Sequence, residues 1–469
     1  MEIIEHKARA GRGIREIRCP YDGSIAGTVD FAGPEVLSGV VDRAMEGFAR
    51  MREMPPYGRA QVLEKMARSV EEHHGEIART IALEAAKPIK LAGIEASRCA
   101  LTFRTAAAEA LRMGGECMSL EFDESAAKRS GFTRRFPIGP ILGISPFNFP
   151  LNLAAHKVAP AIAAGNSIIL KPSSSDPLSA LWLARLASEA GLPGGVLQVV
   201  PCSPADLEPV LQDERVKMIT FTGSAPVGWG IKARSGKKRV ALELGGNAGV
   251  IVDRGCNVDY AVSRILMGGF AYAGQVCISV QRVLIHEDIY GQVENALVEG
   301  ASRLKVGDPL DPEAMLSAMI TEKEAVRVES WIGEAVKAGG RLLTGGRREG
   351  SRVSPAVLSG VPRDAKLWQE EAFGPVIVLE RFKGFDEAVG MVNDSRFGLQ
   401  AGVFTPSLES AMEAFERIEC GGVMINDVPT FRIDPMPYGG VKESGMGREG
   451  VKYAMEEMTE LRLMVINRS

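Results

Sequence analysis

From Gly139 to Asp253 the chain alternates short apolar runs with helical stretches, and few folds accommodate that rhythm. The runs are GPILGIS, NSIILKPS, GVLQVV, VKMITFTGS, RVALELGG and AGVIVD. Apolar runs this short, set between helices, specify βαβ units around a parallel sheet buried on both faces. The second half repeats the rhythm more loosely in QRVLIHED, RLLTGG, PVIVLERF and GVMIN. Two α/β units are therefore expected, with a boundary near Gly245 to Asn247. Ahead of them, Pro34 to Leu111 is mostly helical, since Val36, Val40, Val41, Ala44 and Phe48 recur at helical spacing, as do Val62, Met66, Val70, Ile77, Ile81 and Leu83. Met118 to Phe136 alternates around turn-forming polar residues and reads as a projecting hairpin. The closing TELRLMVIN reads as a lone strand, of the kind that docks on a neighbouring element or another subunit.

Composition narrows the function. Lys plus Arg is 55 against 59 Asp plus Glu, so nothing in the charge balance favours a nucleic-acid partner. The longest apolar stretch, Leu153 to Leu170, is broken by His156, Lys157, Pro160 and Asn166, and no membrane span is expected. The start, MEIIEHKARAGRG, lacks the apolar segment of a secretory signal. Seven cysteines without C-x-x-C spacing argue against a disulfide framework or a Cys-only zinc site and suit a reducing cytoplasm. The five histidines include no H-E-x-x-H, so no metal site is expected.

Several residues carry possible chemistry. The turn Gly223-Ser224-Ala225-Pro226-Val227-Gly228 joins a strand to a helix, where backbone N–H groups can meet a phosphate; it reads equally as a plain turn. Lys171 ends a parallel strand, where open α/β sheets bind ligands, or is a solvated strand end. Cys277 in Gly274-Gln275-Val276-Cys277 is a nucleophile or a core thiol. Glu243 interrupts the apolar strand VALEL; a carboxylate there either has the raised pKa of a general base or turns to solvent. Asn148, between Phe147 and Phe149, donates to an oxyanion or satisfies a turn.

Seven ordered motifs carry a resemblance along nearly the whole chain: PFNFP (146–150), KPS (171–173), FTGS (221–224), LELGGN (242–247), GQVC (274–277), EAFGPV (371–376) and PYGGVKESG (437–445). In these the chain resembles the aldehyde dehydrogenase superfamily. The resemblance implies an α/β fold of two doubly wound, Rossmann-like parallel-sheet domains plus a small β-hairpin oligomerisation element. Residues 1–117 and 137–245 would form the dinucleotide-binding domain and 246–454 the catalytic domain. Residues 118–136 and 455–469 would form the oligomerisation hairpin and C-terminal strand of a homo-oligomer, dimer or tetramer. It further implies Cys277 as nucleophile, Asn148 as oxyanion donor with the Cys277 N–H, and Glu243 as the base that hydrolyses a thioester after hydride transfer. The NAD or NADP site would draw on Ser145, Pro146, Phe147, Lys171, Ser173, Ser174, Gly223, Ser224, Val227, Leu244, Gly245, Glu371 and Phe373.

One departure bears on the cofactor. Many NAD-preferring members carry a glutamate three residues beyond this lysine; here the position is Ser174, which admits the 2′-phosphate of NADP. For the substrate, Asn152 and His156 share a helix face that borders the aldehyde tunnel in the family. Arg432 lies on the loop that caps the tunnel, and Arg104 on a nearby helix; both are candidates to pair with a substrate anion. The pattern resembles the lactaldehyde and non-phosphorylating glyceraldehyde-3-phosphate branch and implies a short polar or anionic aldehyde. The alternatives are a CoA-acylating aldehyde dehydrogenase or a homologue that binds without catalysis.

Overall fold

The computed structural model describes residues 11–468; the first ten residues, where no apolar leader is expected, lie outside them. The anticipated rhythm forms two sheets. In the first, the strand order is Gly445–Met446, Arg239–Glu243, Met218–Thr222, Ile141–Ile144, Ile168–Lys171 and Leu197–Val199. All pair in parallel except Gly445–Met446. The chain starts at Ile141–Ile144, moves outward through two strands, then crosses back to Met218–Thr222 on the other side. That reversal opens a crevice at the carboxyl ends of the strands, where ligands of open α/β sheets bind. The helix Asn152–Ala164 is buried at every residue. It packs against the helices Pro56–Glu72 and Ile89–Arg112, which is why its apolar pattern is continuous rather than amphipathic.

The second sheet runs Arg341–Thr344, Ala356–Ser359, Val376–Phe382, Val280–His286, Ala248–Val252, Gln400–Phe404 and Gly422–Ile425, with only the first strand antiparallel to its neighbour. Its core includes Val283, Leu284, Val378 and Leu379, all fully buried.

Two features depart from the sequence reading. Gly11–Arg18 and Ile25–Ala32 form an antiparallel hairpin that the sequence reading does not anticipate. The limit 246–454 does not hold as a physical unit: Gly445–Met446 pairs with Leu242 and Glu243 of the first sheet, and Val451, Ala454 and Met455 of the helix Val451–Glu457 join the core of the first unit. The terminal strand Thr459–Asn467 docks on a neighbouring element, one of the two outcomes expected of it. It pairs antiparallel along its whole length with Arg129–Pro137, whose other edge takes the short strand Cys117–Ser119. Leu461, Leu463, Met464, Val465 and Ile466 stay exposed on it. Among the described residues, no helix is long and apolar enough to cross a membrane, and no His, Cys, Asp and Glu cluster is arranged to hold a metal ion.

Candidate active site

Cys277 sits on a tightly turned loop after the helix Val258–Phe270. Tyr272, Ala273 and Gly274 all take positive φ, a run that costs energy for the two non-glycine residues. It brings Gly274 so close to the facing loop that a Cβ there would lie 2.1 Å from the Gly374 carbonyl oxygen, and only glycine fits. The Asn148 side-chain amide donates to the Gln275 carbonyl at 3.0 Å, fastening its loop to that of Cys277. An amide nitrogen carries two hydrogens, so one donor remains to be aimed. The Cys277 sulfur lies 3.0 Å from the Tyr438 hydroxyl. Burial pushes the thiol up to about 12, against the hydrogen bond to Tyr438, which lowers it.

Cys277, Asn148 and Glu243 line one cavity of about 570 Å³. The Glu243 side chain is buried and its Oε2 has no hydrogen-bond partner. Burial first, then the neighbouring Glu449 carboxylate, raise it well above the ordinary glutamate range. A carboxyl so perturbed, facing a cavity, is a candidate for proton transfer.

Every cofactor candidate named from the sequence lines the same cavity. Gly223 contributes differently from expectation: its N–H is spent on the Glu243 carbonyl at 3.0 Å. The helix Ala225–Arg234 behind it has no side-chain cap, so its first-turn N–H groups remain for an anion. Lys171 donates to the Ser174 hydroxyl at 3.2 Å, and burial lowers its pKa. Glu371 accepts from the Gly246 N–H at 2.9 Å; burial raises it to about 7. A Cβ on Gly245 would come within 2.3 Å of Glu371 Oε2. Phe373, at φ 43°, packs edge-on against Phe147. A glycine-lined cradle, an uncapped helix end, a lysine and a carboxyl fit a dinucleotide's phosphates and ribose hydroxyls. Arg234, missed in the sequence, also lines this cavity.

The substrate candidates fare differently, and none lines the cavity. Arg104 is a correction: it lies on the surface, paired with Glu71 at 2.9 Å and Glu64 at 3.5 Å. Asn152 and His156 are buried and turned to Asp434, whose Oδ1 accepts from Asn152 Nδ2 at 3.1 Å and meets His156 Nε2 at 2.7 Å. Arg98 binds the same carboxylate at 2.9 Å. Burial would raise Asp434, but His156 and Arg98 hold it well below the usual carboxylate range. Arg432 is also buried: it donates to Glu449 at 3.0 Å and stacks 3.6 Å over the Tyr438 ring, while its Nε has no acceptor. Glu449 in turn pairs with the buried Lys157 at 3.0 Å.

Two further residues escape the sequence reading. Lys87 and Glu95 form a fully buried ion pair. Lys87 also donates to the Asn148 carbonyl at 2.6 Å, and Glu95 accepts from the N–H groups of Leu151 and Asn152 at 3.0 and 3.1 Å. Together they hold the backbone at Asn148 and just beyond it.

The cysteine, carboxyl and amide around one dinucleotide-sized cavity, on this pair of sheets, define an aldehyde-oxidising dehydrogenase. The chain belongs to the aldehyde dehydrogenase family, whose profile matches residues 7–464. It is an NAD(P)-dependent enzyme. A 3-sulfolactaldehyde dehydrogenase of Priestia aryabhattai is 45% identical over 413 residues, 88% of this chain and 87% of the relative. The structure of aldehyde dehydrogenase 21 from Physcomitrella patens, solved with the reaction product succinate, is 42% identical and superposes with a TM-score of 0.96, covering 98% of this chain and 96% of that one. A glyceraldehyde-3-phosphate dehydrogenase of Methanocaldococcus jannaschii complexed with NADP is 38% identical, with a TM-score of 0.93, 97% of this chain and 99% of that one covered.

Proposed function

We propose that the chain oxidises a small polar or anionic aldehyde to its carboxylic acid through a covalent intermediate on Cys277. The observation that carries this reading is the convergence of Cys277, Asn148 and Glu243 on the cavity that also gathers the dinucleotide-binding residues. The Cys277 thiolate adds to the aldehyde carbon, and the pair of electrons that leaves the C=O bond is held by the free N–H of the Asn148 amide and by the Cys277 backbone. When bound, the nicotinamide would supply the hydride acceptor: the oxyanion re-forms the C=O bond, the carbon gives up its hydrogen with the bonding pair, and a thioester is left on Cys277. Lys171 and Glu371 would hold the ribose hydroxyls of the dinucleotide, and the first-turn N–H groups of Ala225–Arg234 its pyrophosphate. Glu243, ionised, takes a proton from water as it attacks the thioester carbon, and the sulfur leaves as thiolate.

The substrate class is supported by the relatives. Similar proteins are named for 3-sulfolactaldehyde, for lactaldehyde and for a succinate product complex. Ser174 beside Lys171 supports use of both NAD and NADP. The exposed strand Thr459–Asn467 supports a homo-oligomer, and the free thiols support a cytoplasmic location.

The test is reduced-cofactor formation over a panel of lactaldehyde, glycolaldehyde, 3-sulfolactaldehyde, succinic semialdehyde and glyceraldehyde 3-phosphate, beside hexanal and benzaldehyde. The polar set is expected to lead in kcat/KM and Cys277→Ser to abolish turnover. A preference for hexanal or benzaldehyde refutes the substrate class, and an active Cys277→Ser refutes the mechanism.

A further inference from the structure

The Cys277 sulfur has one side-chain hydrogen-bond partner among the described residues, the phenol of Tyr438 at 3.0 Å, and the surroundings fix that phenol. Its backbone exchanges hydrogen bonds with Glu449 in both directions, at 3.0 and 2.7 Å. Arg432 lies 3.6 Å over the ring face and is itself tied to Glu449 at 3.0 Å. The ring is almost wholly buried, so no solvent competes for the hydroxyl. A guanidinium on the face of a phenol draws electron density toward itself and makes the O–H a better donor.

We infer that Tyr438 is a further catalytic residue, whose Arg432-backed phenol donates its hydrogen bond to the Cys277 thiolate and holds it for attack. The inference rests on Cys277 being the nucleophile. No proton is transferred in this role. As the C–S bond forms, the negative charge passes from sulfur to the aldehyde oxygen. Tyr438 keeps its proton throughout, and its bond to sulfur weakens as that charge leaves. The stabilisation thus acts on the resting thiolate, complementing Asn148, which acts on the oxyanion. It also answers a local difficulty: burial and the carboxyls of Glu371 and Glu243 raise the Cys277 pKa, and the groups opposing them are Tyr438 and Arg432.

A hydrogen bond to the thiolate has a kinetic signature. Removing it raises the thiol pKa, which lowers the thiolate fraction, while each remaining thiolate becomes more nucleophilic with a Brønsted slope of about 0.4–0.5. For a rise of about one pKa unit, roughly tenfold less thiolate reacting about threefold faster leaves alkylation about threefold slower. Tyr438→Phe keeps the ring under Arg432 and deletes only the hydroxyl. The experiment alkylates Cys277 with iodoacetamide across pH 7–10 on the resting enzyme, and measures the NADP dissociation constant on the same preparations. About threefold slower alkylation on the rising limb, with NADP affinity unchanged, is the expected result. Equal or faster alkylation overturns the inference, because it means that the thiol donates to the phenol or that the contact is idle. Slowing matched by an equal loss of NADP affinity overturns it as well, since it marks a distorted site. No aldehyde turnover enters the measurement, so its failure leaves the oxidation reading intact, and failure of that reading shows separately in the aldehyde panel.

Discussion

Lys87→Met tests whether the aim of Asn148 is set from behind. Lys87 is 1% exposed and Glu95 0%, and the lysine carries three loads. It neutralises Glu95, donates to the Asn148 carbonyl at 2.6 Å, and sits 3.7 Å over the Phe149 ring. Methionine matches its volume but leaves a buried carboxylate unpaired, a loss of about 3–5 kcal/mol. Two other buried acids make it worse, because Glu84 and Asp176 share the region and Lys87 helps offset the charge of Asp176. The lost hydrogen bond to Asn148 frees the loop. Outright removal of an oxyanion donor costs about 100- to 1000-fold in kcat; misplacing the donor by about 1 Å costs up to about 100-fold. A fall in kcat of roughly tenfold to 100-fold is therefore expected, with the KM for the dinucleotide unchanged because Lys87 does not line that cavity.

The control is the double variant Lys87→Met/Glu95→Gln. The introduced glutamine keeps an oxygen for the N–H groups of Leu151 and Asn152 without an unpaired charge. Thermal denaturation should show the double variant recovering much of the stability lost in the single one, and steady-state kinetics should show kcat staying low, because the Asn148 carbonyl still has no donor. Parent-like kcat in Lys87→Met refutes the positioning argument. A double variant less stable than the single one refutes the electrostatic argument.

Four other outcomes follow from the site. Cys277 and Glu243 must both lose a proton to act, and burial raises both, so kcat is expected to climb from neutral into alkaline pH; a profile that falls over that range contradicts the assignment. Glu243→Gln should give a burst of reduced cofactor followed by slow acid release, about 100-fold below the parent at steady state, whereas intact acid formation removes Glu243 from hydrolysis and acyl-CoA formation on adding CoA favours the acylating alternative. Ser174→Glu places a carboxylate beside Lys171 and should cut kcat/KM for NADP at least about tenfold while sparing NAD; equal loss for both cofactors denies a 2′-phosphate contact there. Leu463→Glu with Val465→Glu puts charge on the exposed terminal strand and should lower the mass seen by light scattering, and an unchanged mass places the subunit contact elsewhere.

Much of the fold is legible because its signals are local. A parallel strand buried on both faces must be a short apolar run, and a helix must pass between two of them, so GPILGIS through RVALELGG announces the first sheet. What stays hidden is long-range pairing. Nothing in TELRLMVIN names Arg129–Pro137 as its partner, because antiparallel pairing is backbone chemistry open to any alternating strand. Gly445–Met446 is two residues long and owes its place to Glu243 and Leu242 across the ladder, so no periodicity could mark it.

The site divides along the same line. Cys277, Glu243, Asn148 and the glycine turns are legible as motifs, since each needs a fixed residue type at a fixed place on a loop or strand end. The buried charges that support them are not. Lys87, Glu95, Lys157, Arg432, Asp434 and Glu449 look in sequence like solvated residues, and Arg432 and His156 read as substrate contacts because the resemblance sets them beside the aldehyde tunnel. Their partners lie up to 292 residues away, and a buried charge is tolerated only where such a partner exists. The same requirement explains where Arg432 ends up. A guanidinium inside the fold must find a carboxylate, Glu449 supplies one, and the pair then presents the arginine's flat face to Tyr438 instead of its fork to the substrate. An arginine that stands out in the sequence for its charge thus acts first through its neighbour, on the sulfur rather than on the aldehyde.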